Sequence, residues 1–197
     1  MASRREFIQT GAAMVATVLP TLSAVTGIGG SLWLYKVIYD QRFAPARRFG
    51  TTARELNANV QAIEGDVHDL WYHDLYQRWK VAPTAIAGMT SFNPMFLLVM
   101  FAQDVGMRLV YRANHRADQN GALAHELFGP TTQQCRHEEL RDSGAQWGPA
   151  AARIVLSWPQ DAVSVSQARS NIADANRRMV GPETMLSWII APVRRDG

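Results

Sequence analysis

Cysteine is almost absent from this chain: Cys135 stands alone among 197 residues. One thiol cannot close an internal disulfide, and it cannot supply a CxxC zinc site, a CxxCH haem attachment or a cysteine-ligated iron–sulfur cluster. Lysine is nearly as scarce, with only Lys36 and Lys80, so the positive charge is carried by arginine, whose planar fork suits carboxylate and phosphate recognition. Charge is also thin, at 19% of residues, and it balances to +3. Arg4 and Arg5 against Glu6 put +1 into the first 30 residues and leave +2 for the rest. Arg42, Arg47, Arg48, Arg78, Arg108, Arg112, Arg116, Arg177 and Arg178 are scattered, not gathered into a run with interleaved aromatics, so no nucleic-acid partner is expected. With 47% hydrophobic residues and ordinary glycine and proline, the chain is neither disordered nor collagen-like, and its length suits one packed domain.

The most informative stretch is the beginning. Ser3-Arg4-Arg5-Glu6-Phe7-Ile8-Gln9 precedes residues 11–30, which hold no charged residue and are rich in alanine, valine, leucine, threonine and glycine. A basic n-region followed by an apolar h-region is the order of a secretory signal. The segment resembles the twin-arginine (Tat) export signal, with the pattern Ser/Thr-Arg-Arg-x-Phe-Leu-Lys. Ser3, Arg4, Arg5 and Phe7 match it, Ile8 replaces leucine conservatively, and Gln9 departs from lysine. The resemblance covers about 30 residues, as signal peptides do. It implies the Tat machinery as a partner, export in a folded state, often with a cofactor inserted or a larger co-exported subunit bound, and a mature domain that works in the periplasm or on the outer face of the cytoplasmic membrane. No clean Ala-x-Ala cleavage site follows, and Pro20 with the Gly27, Gly29, Gly30 cluster makes 11–34 a poor membrane helix, so both cleavage near 24–30 and retention as an anchor stay open. The same glycines follow the apolar run and precede a strand-like segment, the wrong context for a dinucleotide loop.

From residue 31 to 197 the pattern predicts a single α/β domain. Strands are expected over 32–39, 60–63, 84–90 and 108–113, each aromatic, β-branched or continuously apolar. Between them, helices are expected over 45–56, 69–80 and 95–105, the second from the helical spacing of Leu70, Trp71, Leu75, Tyr76 and Trp79. Strand and helix alternating in this way predict right-handed βαβ units, hence a three-layer domain with a mostly parallel, Rossmann- or flavodoxin-like sheet behind a signal helix. The remainder is less regular: a short helix at best over 121–128, a polar stretch over 135–147, a strand over 153–158 stopped by Pro159, a polar-faced helix over 165–179 and a last strand over 185–190.

Ligands of open α/β sheets sit beyond the carboxyl ends of the strands. The expected ends present Asp40, Asp66, Thr90 with Ser91, and Asn114 with His115. A carboxylate can orient an imidazole and raise its basicity, so His115 with Asp40 or Asp66 is a candidate proton-transfer pair, Ser91 a candidate nucleophile, and Thr90, Asn114, Arg112 and Arg116 candidate holders of an anionic ligand. Each also has a structural role open to it, as a cap, a turn residue or a loop residue. The Gly-x-Ser-x-Gly elbow of serine hydrolases is missing; Gly88-Met89-Thr90-Ser91 occupies the corresponding kind of turn without the second glycine. Asp66, His68, Asp69, His73 and Asp74 are dense, but His68 and His73 are offset on a helix, which favours a helix start over a metal site, and no metal site is assigned. Arg136 and His137 flank Cys135 and are able to lower its thiol pKa; in an exported protein that thiol is open to oxidation or to pairing with a partner. Most of the numerous aromatics should be core.

Two functions follow from these residues. One is a ligand-binding or accessory component of an envelope enzyme system, with a small molecule or a larger enzyme subunit as partner and an unassigned cofactor. The other is a small hydrolase, lyase or isomerase working through His115 with Asp40 or Asp66.

Overall fold

Strand β1 (Lys36–Asp40) leads into helix α1 (Ala44–Glu55), where Pro45 opens the first turn and Ala46, Phe49, Gly50 and Ala53 form the buried stripe. Asn57, in the left-handed region at φ 62°, ends that helix and turns the chain into β2 (Val60–Ile63). A helical stretch follows as α2 (His68–Leu70), a π-helical turn (Trp71–Leu75) and α3 (Tyr76–Val81), then β3 (Ile86–Thr90), α4 (Phe92–Asp104) and β4 (Met107–Ala117). The chain continues through β5 (Leu123–Phe128), α5 (Cys135–Asp142), a 3₁₀ turn, α6 (Trp147–Leu156) and β6 (Met185–Pro192). This computed structural model describes residues 30–117, 123–129, 135–160 and 184–193. The segment up to residue 29, expected to be an export signal, and the helix expected over 165–179 lie outside them.

The strands form one six-stranded sheet in the order β2-β1-β3-β6-β4-β5. Helices cover both faces. On one, α1 and α6 bury Phe49, Ala53, Ala151, Ile154 and Val155 against Val37, Ala87, Met89 and Ile189. On the other, the α2–α3 stretch and α4 bury Leu75, Trp79, Met95 and Leu98 against Ile38, Ile86, Trp188 and Ile190. Within β3, Gly88 permits this packing: a Cβ there would stand 2.4 Å from the Ile38 carbonyl oxygen and 2.6 Å from the Trp188 ring.

Three expectations are corrected. The sheet is mixed, not mostly parallel: β1 runs parallel to β2 and β3, whereas β6 is antiparallel to β3 and β4, and β5 antiparallel to β4. The last strand inserts between β3 and β4, and its unbroken buried run from Met185 to Ala191 carries no signature of direction. Residues 123–128 form β5, not a helix, because β4 extends to Ala117 and pairs with them from Arg112↔Phe128 to Ala117↔Leu123. Residues 153–156 close α6 instead of starting a strand; Pro149 and three alanines open a buried helix whose apolar end has no period of its own. In addition, β1 starts at Lys36, while Leu32 donates its N–H to the Trp158 carbonyl and so ties the incoming segment to the end of α6.

Candidate functional site

Alternation along the strands sorts the expected site residues onto two faces of the sheet. Asp40 and Thr90 belong to the α4 face with Ile38, Leu186 and Trp188, and Arg112 and Asn114 share it through their pairing with Trp188 and Leu186. His115 sits one residue on from Asn114 and projects from the opposite face, towards α6. The pleat therefore separates His115 from Asp40, and the proposed imidazole–carboxylate pair is not formed. Asp66 is likewise engaged elsewhere: its Oδ1 accepts the His68 N–H at 2.9 Å and opens α2.

On the α4 face the polar groups serve local structure. Asp40, fully buried, accepts from Arg42 Nε at 2.9 Å, Nη2 at 2.7 Å and backbone N at 3.2 Å, a bidentate pair that raises the Arg42 pKa, chiefly through the hydrogen bond. Gly65, at φ +84°, leaves room for this guanidinium, which any Cβ would strike. Thr90 Oγ1 donates to the Ser91 carbonyl at 2.9 Å and accepts from Trp188 Nε1 at 3.0 Å. Ser91 takes the N-cap position of α4 without a side-chain capping bond. Buried Arg112 lays its guanidinium carbon 4.4 Å from the Phe128 ring centre, Asn114 Nδ2 donates to Glu126 at 3.3 Å, and Arg116 is exposed.

The α6 face holds the connected polar chain. Tyr111 OH and Ser187 Oγ are 3.3 Å apart, Ser187 Oγ and His115 Nε2 2.9 Å, and His115 Nδ1 and His125 Nδ1 2.8 Å. Strand register produces it: His115 faces His125 across β4–β5, while Ser187 on β6 faces Ala113 and lies diagonally beside His115. Trp147, at the start of α6, covers the pair, with ring centres 4.6 Å from His115 and 5.8 Å from His125. Ser187 is 0% and His115 2% exposed, while His125 is half-buried, so the chain runs from the core outwards.

Burial pushes the His115 imidazole well below its ordinary pKa, and the neighbouring His125 adds to the shift. Tyr111 is pushed up to about 12 by burial, against the opposing hydrogen bond from Ser187. The two imidazole rings have centres 5.0 Å apart, close to the greatest separation that a 2.8 Å nitrogen contact allows, so the two nitrogens lie nearly on the line between the ring centres, as in a nearly straight N–H···N bond. A shared metal ion would bend that line and spread the nitrogens, since each would stand about 2.0–2.1 Å from it. Among the described residues no group of three or more histidine, cysteine or acidic side chains is placed to hold a metal. His115 is the one expected site residue in this chain; Ser187 and Tyr111 carry no expectation from sequence, and His125 stands out there only as one of an adjacent His125-Glu126 pair without support for a metal site. The available signal was Asn120-Gly121, a hairpin dipeptide between histidines ten residues apart. No protein-family model matches the chain, and neither a curated protein nor a solved structure matches it.

Proposed function

We propose that the chain is exported by the twin-arginine route and works in the periplasm or on the outer face of the cytoplasmic membrane, as a ligand-binding or accessory component of an envelope enzyme system. The resemblance of the first 30 residues supports the route, and the observation that supports the binding role is the local engagement of Asp40, Thr90 and Asp66. Asp40 is occupied by Arg42, Thr90 by Trp188 and Ser91, Asp66 by the start of α2, and the imidazole chain runs inward through Ser187 to the buried Tyr111. Groups satisfied in this way suit holding a shape or a ligand better than turnover. The β2-β1-β3 order also supports a flavodoxin-like reading of the parallel half, whose ligand crevice would lie between the ends of β1 and β3. Replacing Arg4 and Arg5 together by lysine should abolish appearance of the protein in the periplasmic fraction; export undiminished by that change would overturn the route. Native mass spectrometry of the envelope-derived protein should then find it with a small ligand or a larger subunit, and a bare monomer would count against the binding role.

A second reading has one specific observation in its favour. Ser187, His115 and His125 follow the order of a nucleophile–base–orienting triad, with Nε2 towards the hydroxyl and Nδ1 towards the third group. A fluorophosphonate probe that labelled Ser187 in the wild-type protein, and not in Ser187→Ala, would establish hydrolase chemistry in place of the binding role.

A further inference from the structure

The pair His115–His125 joins an edge strand to the sheet. Among the described residues β5 is paired to β4 alone, its residues are exposed or half-buried, and His125 is the β5 residue whose ring reaches the buried chain. Each Nδ1 atom faces the other, so the bond holds one proton; if both rings become imidazolium, two N–H groups oppose one another and the bond cannot exist. A first proton on the half-buried His125 keeps the bond, with His125 Nδ1 donating; opening needs a second proton, on His115, which places a charge at a site only 2% exposed, against the face of Trp147. The described groups around it do not compensate that charge. β6 offers the Ser187 hydroxyl, β4 the neutral Tyr111, and α6 the Trp147 ring. From α5, Arg136 and Glu139 act on Tyr111 with opposite signs. Arg116 and Glu126, the charged neighbours in sequence, project from the opposite face. Among the described residues, no carboxylate hydrogen-bonds His115.

We propose that the His115–His125 bond is a proton-operated latch, closed at neutral pH, that releases the β4–β5 hairpin from Trp147 and Ser187 when the surroundings turn acidic. The latch itself is independent of where the protein works, while its use as a sensor of the medium's pH rests on the exported reading above. Release is confined to the outer end of the hairpin, because Met107, Leu109, Val110, Tyr111 and Ala113 of β4 belong to the same buried apolar clusters that hold β1, β3 and β6.

Amide hydrogen exchange of the full chain at pH 7.5 and 5.5, corrected for the intrinsic rate, reads the latch directly. A side chain that protonates near pH 6.5 when released, and only far below when latched, makes opening about tenfold more frequent at pH 5.5. The expected result is that loss of protection in 114–117 and 123–128, with 36–40 and 86–90 unchanged, and less than a twofold change in His115→Gln. Equal protection at both pH values, a loss spread uniformly over all strands, or a loss retained in His115→Gln would each overturn it. If His115→Gln does not fold, nitrogen-15 spectra of the wild-type imidazoles decide: His115 must stay neutral at pH 6 while the hairpin is protected, and an imidazolium signal from His115 with full protection overturns the latch. None of these readings depends on export, which stands or falls on the Arg4 and Arg5 replacements.

Discussion

Burial favours the neutral form of His115, whose hydrogen-bond partners among the described residues are one hydroxyl and one further imidazole. The sign of its effect on stability follows. The unfolded chain takes up a proton there near pH 6.5, the folded chain only well below. In that window the unfolded state holds more protons, so the contribution is complete above the unfolded value and is lost as the pH falls, at about 1.4 kcal/mol per pH unit for one group. Urea melts at pH 7.5, 6.5 and 5.5 should show this decline in the wild type and a flatter profile in His115→Gln. Ser187 is the hinge of the same chain. Ser187→Ala removes the shared partner of two buried groups, His115 Nε2 and Tyr111 OH, and should cost about 1–3 kcal/mol in the same melts at pH 7.5.

The elements owe their contacts to two glycines. A Cβ at Gly148 would stand 2.5 Å from the Pro45 carbonyl oxygen, at the closest approach of α6 to α1, and one at Gly88 would meet both the β1 backbone and the Trp188 ring. Gly88→Ala should destabilise by about 1–3 kcal/mol or more, since backbone on one side and a wedged indole on the other leave little room to shift. Trp188→Ala should cost about 3–5 kcal/mol, because that ring is fully buried and its Nε1 holds Thr90 in place. Thermal unfolding by circular dichroism ranks these variants against the wild type. At this scale, β2 and α1 were legible from period and punctuation, as was α4 within a few residues. β5 and α6 were not. The pairing of 123–128 is supplied by an extended β4, and the apolar end of α6 is equally consistent with strand and helix until its neighbours are known.

For the whole molecule, β6 is decisive. It arrives last in the chain yet lies between β3 and β4, so it joins the parallel half of the sheet to the β4–β5 hairpin. A chain ending at residue 184 should therefore fail to fold cooperatively, seen as loss of the near-ultraviolet dichroism and of the sigmoidal melt. A truncated chain that still melts cooperatively would contradict the joining role of β6.

Sequence by itself determined the α/β class, most of the element positions and the polar residues at the strand ends, because periodicity and turn chemistry are local properties written along the chain. It determined equally the resemblance of the first 30 residues to an export signal. Only the tertiary structure decided which residues meet. The side on which His115 emerges depends on the register of β4, its partner His125 on a hairpin, and its second partner Ser187 on an antiparallel strand some seventy residues away. Register and strand direction are set by pairing across the sheet, and a run that is apolar throughout, such as Met185 to Ala191, reads the same in either direction.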